Sequence, residues 1–176
     1  MSAHGRSEAL SPERSAKGRP VTAPLLVFGW GNPSRGDDAL GPLCVERLRA
    51  APGSSAPVEF LDDYQLQVEH ALDLVGRRGV LFIDASVQAS APFTVTPLQA
   101  ARDASISTHA VSPQALLQVY RDLQGEEAPP CTLLAIRGQR FELGEPPSAE
   151  ALAHLDAAVQ WARDWLAMPV ERRAHA

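Results

Sequence analysis

The chain has 176 residues, 45% of them hydrophobic, and a formal net charge of -5, a length that suits one domain with a substantial core. No basic block runs through its body, which argues against a nucleic-acid partner, and no apolar run approaches the roughly 18 residues of a membrane span. Residues 1–22 are polar and basic at the start, without the apolar centre of a secretory signal, so they are expected to be a disordered extension and the chain cytoplasmic.

Leu25-Leu26-Val27-Phe28 is short, apolar on both faces and stopped by Gly29-Trp30-Gly31-Asn32-Pro33, the pattern of a buried parallel strand ending in a turn. A helix follows from about Asp38 to Ala50, with Leu40, Leu43, Cys44 and Leu48 at helical spacing; Asp37 or Asp38 would sit at its start. Val58–Leu61 reads as a short strand leading into Asp62-Asp63-Tyr64-Gln65, and Leu66, Ala71, Leu72 and Val75 suit the apolar face of a second helix. Val80–Ile83 is another fully apolar strand, ending at once in Asp84. Phe93–Leu98 alternates and carries Pro97, so it reads as an edge strand. After a polar loop containing His109, Ser112-Pro113 marks a helix start, and the helix should run to Leu123. Cys131–Ile136 is the next apolar strand, and Ser148 caps a last helix from Ala149 to about Met168 with Trp161 and Trp165 on one face. Residues 169–176 are charged and expected to fray.

Apolar strands alternating with helices imply a three-layer α/β/α sandwich: a twisted, mostly parallel sheet of about five strands with helices on both faces, in one domain over residues 23–168. Cys44 and Cys131 fall on apolar faces and read as small buried hydrophobes rather than a disulfide pair.

Such a fold gathers ligand-binding groups outside the carboxyl ends of its strands. Asp38, Asp84 and His109 all fall at such edges, and two carboxylates with one imidazole suit nickel, zinc or manganese. Each has a plainer role open to it: a helix cap for Asp38, a strand-end acceptor for Asp84, an ordinary loop histidine for His109. A dinucleotide fingerprint would need glycine where Ser34 stands, and Pro33 removes an N–H that a phosphate cradle would use. His70 and His154 lie in helical segments and His4 and His175 near the termini, positions typical of surface or boundary residues.

The stretch Gly29-Trp30-Gly31-Asn32-Pro33-Ser34-Arg35-Gly36-Asp37-Asp38-Ala39-Leu40-Gly41 resembles the opening motif of the [NiFe]-hydrogenase maturation endopeptidases. Val80–Ala85 resembles that family's strand ending in Asp-Ala, and Ser107–Ser112 with Leu116-Leu117 its histidine segment before a helix. Trp30 and Pro33-Ser34-Arg35 are most similar to the branch serving bidirectional, NAD-linked soluble hydrogenases. The resemblance implies that Asp38, Asp84 and His109 form both the metal-binding and the catalytic set. Many members carry Glu at the Asp38 position and a Gly-rich loop where this chain has Asp62–Gln67, near the expected cleavage site. Asn32, Asp63, Tyr64 and Gln65 are therefore candidate substrate contacts.

The implied task is removal of a short C-terminal peptide from the [NiFe]-hydrogenase large-subunit precursor after nickel insertion. Nickel would be presented by the substrate, with no organic cofactor. Two mechanisms remain open on residue types. A metal could polarise the scissile carbonyl or acidify a bound water, or Asp38 or Asp84 could act as general base while the metal only holds the substrate. A nickel-site-sensing chaperone that cuts nothing would use the same residues, and a flavodoxin-like nucleotide binder is a third possibility.

Overall fold

The alternation in the strand sequences decides how the layers pack. In a strand, successive side chains point to opposite faces, so Leu25 and Val27 of the first strand go to one side and Leu26 and Phe28 to the other. A computed structural model describes residues 21–102 and 110–175. Its strands are β1 (Leu25–Trp30), β2 (Val58–Asp63), β3 (Gly79–Ser86), β4 (Phe93–Leu98) and β5 (Cys131–Arg137), and its α-helices are α1 (Leu40–Ala50), α2 (Pro113–Gln124) and α3 (Ala149–Ala167).

The five strands form one sheet in the order β2-β1-β3-β5-β4. All neighbours are parallel except β4, which runs antiparallel at the edge, where Pro97 costs no interior ladder bond. Leu25, Val27, Leu81, Ile83, Leu134 and Ile136 pack under α1 and α3. Leu26, Phe28, Val80, Phe82 and Cys131 pack under α2 and the segment after β2. Both faces are therefore covered, as the three-layer expectation required.

Local signals act as their chemistry predicts in α2 and α3. Ser112 Oγ accepts the Ala115 N–H at 3.1 Å and Ser148 Oγ the Ala151 N–H at 3.2 Å, while Gly125 ends α2 in a left-handed conformation. Both cysteines are free and buried; burial pushes the Cys44 thiol up to about 12.

Three local expectations are corrected. Neither Asp37 nor Asp38 caps α1, because a 3-10 helix, Gly36–Ala39, leads into it and both carboxylates are used elsewhere. The segment after β2 is not an α-helix but a 3-10 helix, Val68–Leu74. At three residues per turn rather than 3.6, its buried row is Ala71 and Leu74, while Leu72 and Val75 face outward. The C-terminal segment, expected to be irregular, carries a 3-10 helix over Val170–His175. Arg173 Nε donates to the Trp165 carbonyl at 2.9 Å and Nη2 to that of Leu166 at 2.7 Å, a cation on the carbonyl end of α3.

Candidate active site

Chain reversal in the sheet sets the location. From β1 the chain moves outward to β2, then crosses to β3 on the other side of β1, and this switch opens a crevice beyond the carboxyl ends of β1 and β3. Asp38 follows β1 on the 3-10 helix Gly36–Ala39, and Asp84 lies near the end of β3.

The β1 turn is shaped around Asp38. Its Oδ2 accepts the Asn32 N–H at 2.9 Å, and Asn32 Oδ1 in turn accepts the Ser34 N–H at 2.9 Å. Gly31 has φ 145°, and a Cβ there would overlap the Asp38 carbonyl oxygen, so both conformation and space demand glycine. Similarly, a Cβ on Gly41 would strike the Trp30 carbonyl and lie 2.9 Å from that of Ile83. The start of α1 can approach the strand ends only with glycine at that position.

Asp84 is partly buried beside Asp38. Burial raises its carboxyl to about 7; the Ala85 N–H, at 2.8 Å from Oδ1, pulls the other way, the negative charge of Asp38 adds to the rise, and the polar N–H of the nearby Trp30 indole opposes it. A carboxyl balanced near neutrality can both accept and release a proton. Trp30 is a site residue that sequence patterns do not expose. Parallel pairing of Gly29 with Ile83 brings the next residue on β1 level with Asp84, a register no local motif announces.

Asp37, adjacent to Asp38, does something else. It is fully buried, and its carboxylate accepts the N–H groups of Gln139 at 2.8 Å, Arg140 at 2.9 Å and Ser148 at 2.7 Å, with the Ser148 hydroxyl at 3.1 Å. Burial would raise its pKa, but these four bonds outweigh it and hold the group below its ordinary 3.8. Asp37 thereby fastens the loop after β5 and the first turn of α3 to the site.

On the other side, the Asp63 carbonyl accepts the Gly31 N–H at 3.1 Å, joining the end of β2 to the Asp38 turn. His70 Nε2 lies 3.2 Å from Asp63 Oδ2, and its Nδ1 accepts the Gln67 N–H at 2.9 Å. That acceptance leaves the ring proton on Nε2, facing the carboxylate. Tyr64 is exposed and Gln65 half-buried just beyond. Of the predicted site residues, Asp38, Asp84, Asn32 and Asp63 are thus drawn to one edge. His109 lies outside the described residues. Among those described, no cluster of three or more His, Cys, Asp or Glu is arranged to hold a metal; Asp38 and Asp84 supply two hard oxygen donors.

Solved structures share this architecture. HycI, a [NiFe] hydrogenase maturation protease from Thermococcus kodakarensis, superposes with a TM-score of 0.61 at 21% identity, over 81% of this chain and 92% of that one. In fold, the chain is similar to hydrogenase maturation proteases. The hydrogenase maturating endopeptidase HybD from E. coli gives 0.60 at 25% identity, over 78% and 88% of the two chains. A hydrogenase 2 maturation peptidase from a Thaumarchaeota archaeon gives 0.56 at 24%, over 80% and 96%. No protein-family model matches the chain, and no curated protein matches it in sequence. Coverage of at least 88% of each of these three maturation proteases means the likeness extends over nearly the whole of their fold.

Proposed function

We propose that this protein is an endopeptidase that removes a short C-terminal peptide from the precursor of a [NiFe]-hydrogenase large subunit once nickel is in place. The likeness to maturation proteases supports a peptidase role. One observation carries the assignment to a site: Asp38, on the 3-10 helix after β1, lies near enough to Asp84, towards the end of β3, for its charge to raise the Asp84 carboxyl.

In this reading Asp38, Asp84 and His109 receive the nickel carried by the substrate. Two carboxylates and an imidazole fit such an ion, which would supply Lewis-acid polarisation of the scissile carbonyl or of a water. The Asn32 N–H orients the Asp38 carboxylate, and the Ala85 N–H orients that of Asp84. Either carboxylate is placed to take a proton from an attacking water. Asp63, Tyr64 and Gln65 would line the approach of the extended peptide, and the protein would act in the cytoplasm on a soluble partner. Among the described residues, no helix is long and apolar enough to cross a membrane.

The test is incubation of the purified protein with nickel-loaded and nickel-free large-subunit precursor, followed by mass spectrometry of the precursor's carboxyl terminus. Loss of a short peptide from the nickel-loaded form alone is expected. Binding without cleavage would replace the protease by a nickel-site-sensing chaperone.

A further inference from the structure

Among the described residues β2 is an edge strand, paired with β1, so its last residue, Asp63, is held by one ladder where the end of an interior strand is held by two. The site nevertheless depends on that residue. The Asp63 carbonyl accepts the Gly31 N–H at 3.1 Å, and Gly31 lies so close to Asp38 that a Cβ there would strike the Asp38 carbonyl. The next residue, Asn32, donates its N–H to Asp38 Oδ2. The direction of the Asp38 carboxylate is therefore tied to the place where an edge strand ends.

His70 meets that strand end from the 3-10 helix Val68–Leu74. Its ring centroid lies 4.6 Å from that of Phe28. Nδ1 accepts the Gln67 N–H at 2.9 Å, and the His70 N–H donates to the Gln67 carbonyl at 3.1 Å. These contacts fix the ring in place and in rotation, and they leave Nε2, which carries the proton, 3.2 Å from Asp63 Oδ2. The other oxygen, Oδ1, accepts the Tyr64 N–H at 2.6 Å, so the Asp63 carboxylate is engaged at both ends. The His70 side chain is only 16% exposed. One of its nitrogens is spent on the backbone and the other faces a carboxylate, an arrangement that orients its neighbour.

We propose that His70 is a positioning residue for the Asp38 turn: through the Asp63 carboxylate it holds the end of β2, so that the Asp63 carbonyl keeps the Gly31 N–H and Asn32 keeps Asp38 aimed at the crevice. The inference rests on the protease reading for what the turn does, and not for how the turn is held.

Glutamine and asparagine separate the two ring nitrogens. A Gln amide extends to about the reach of Nε2 and can donate to Asp63, whereas an Asn carbonyl extends to about that of Nδ1 and can accept from Gln67. Full-length His70→Gln, His70→Asn, Asp63→Ala and Asp63→Ala/His70→Asn are compared with wild type in three measurements. These are hydrogen exchange of the Gly31 amide by NMR, urea melts, and steady-state cleavage of nickel-loaded large-subunit precursor. His70→Asn should speed Gly31 exchange at least about 10-fold while its urea midpoint stays near that of wild type. It should also lower kcat by about 10-fold or more with KM little changed. His70→Gln should restore both. In the Asp63→Ala background His70→Asn should cost nothing further, because its effect passes through that carboxylate.

Unchanged Gly31 exchange in His70→Asn, or faster exchange with kcat as in wild type, would overturn the proposal and leave the protease reading standing. Failure of His70→Gln to rescue, or a urea midpoint that falls in step with activity, would make the ring a support of the whole fold and overturn it as well. A rise in KM alone would assign His70 to substrate contact through Asp63 instead of to the turn. Faster Gly31 exchange in His70→Asn, rescued by His70→Gln, in a protein whose wild type never cuts the precursor would support the positioning role and refute the protease.

Discussion

Two loops flank Asp38, and they are built in opposite ways. On one side, residues 34–37 and 138–148 are tied together by backbone bonds from Gly36 to Glu145, Asp37 to Arg140 and Gly144 to Ser34, with the buried Asp37 carboxylate at the centre. On the other, Tyr64–Val75 is anchored from beneath and turns apolar side chains to solvent. The first wall spends its polar groups on holding shape, and the second leaves apolar side chains exposed. Neighbouring aspartates show the same division: Asp37 accepts four bonds from the protein, and Asp38 accepts only one within its own turn among the described residues.

That contrast can be broken most severely at Asp37. Asp37→Ala strands three backbone N–H groups and a hydroxyl, so a loss of about 3–5 kcal/mol in unfolding free energy is expected, read from urea melts. Asp38→Ala should do the reverse, lowering precursor cleavage at least about 100-fold while shifting the urea midpoint little. If the two variants proved equally unstable, the division between holding and working aspartates would fail.

Acid titration sharpens the same point. Because the Asp37 pKa is depressed on folding, its contribution is present above the unfolded value of 3.8 and is lost as pH falls through the lower folded value. Wild type should therefore lose stability below about pH 4 more steeply than Asp37→Asn.

Asp84 has the opposite sign. Its carboxyl is raised by burial to about 7, so the stability it provides is full below the unfolded value of 3.8 and disappears as pH rises towards 7. In metal-free buffer at neutral pH, Asp84→Asn is expected to melt higher than wild type by about 1–2 kcal/mol, a trade of function for stability. The smallest effect belongs to the open wall: Val68→Ser/Leu72→Gln should stay within about 0.5 kcal/mol of wild type in the same melts, since exposed side chains rarely hold a fold.

Local chemistry made much of this molecule legible in advance. Short apolar runs bounded by Gly, Pro and Asp mark four of the five strands, Pro97 marks the edge, and Ser112-Pro113 and Ser148 mark helix starts, because each signal acts within a few residues of itself. Asp38 and Asp84 could be located at strand ends for the same reason. The period of the segment after β2 could not be read, since Leu66, Ala71, Leu72 and Val75 fit a 3.6-residue repeat, and only packing on Phe28 and the Gln67–His70 exchange selected the tighter turn. The partners of Asp37 lie more than 100 residues away, and the placing of Trp30 level with Asp84 depends on strand register.

The amino-acid sequence by itself therefore determined the layers, the order of elements and the carboxylates placed at the strand ends, all consequences of hydrophobic period and turn chemistry. Which aspartate holds the loop, which faces its neighbour across the crevice and which apolar residues remain outside were decided by tertiary structure. Burial, register and long-range hydrogen bonds arise only when distant segments meet.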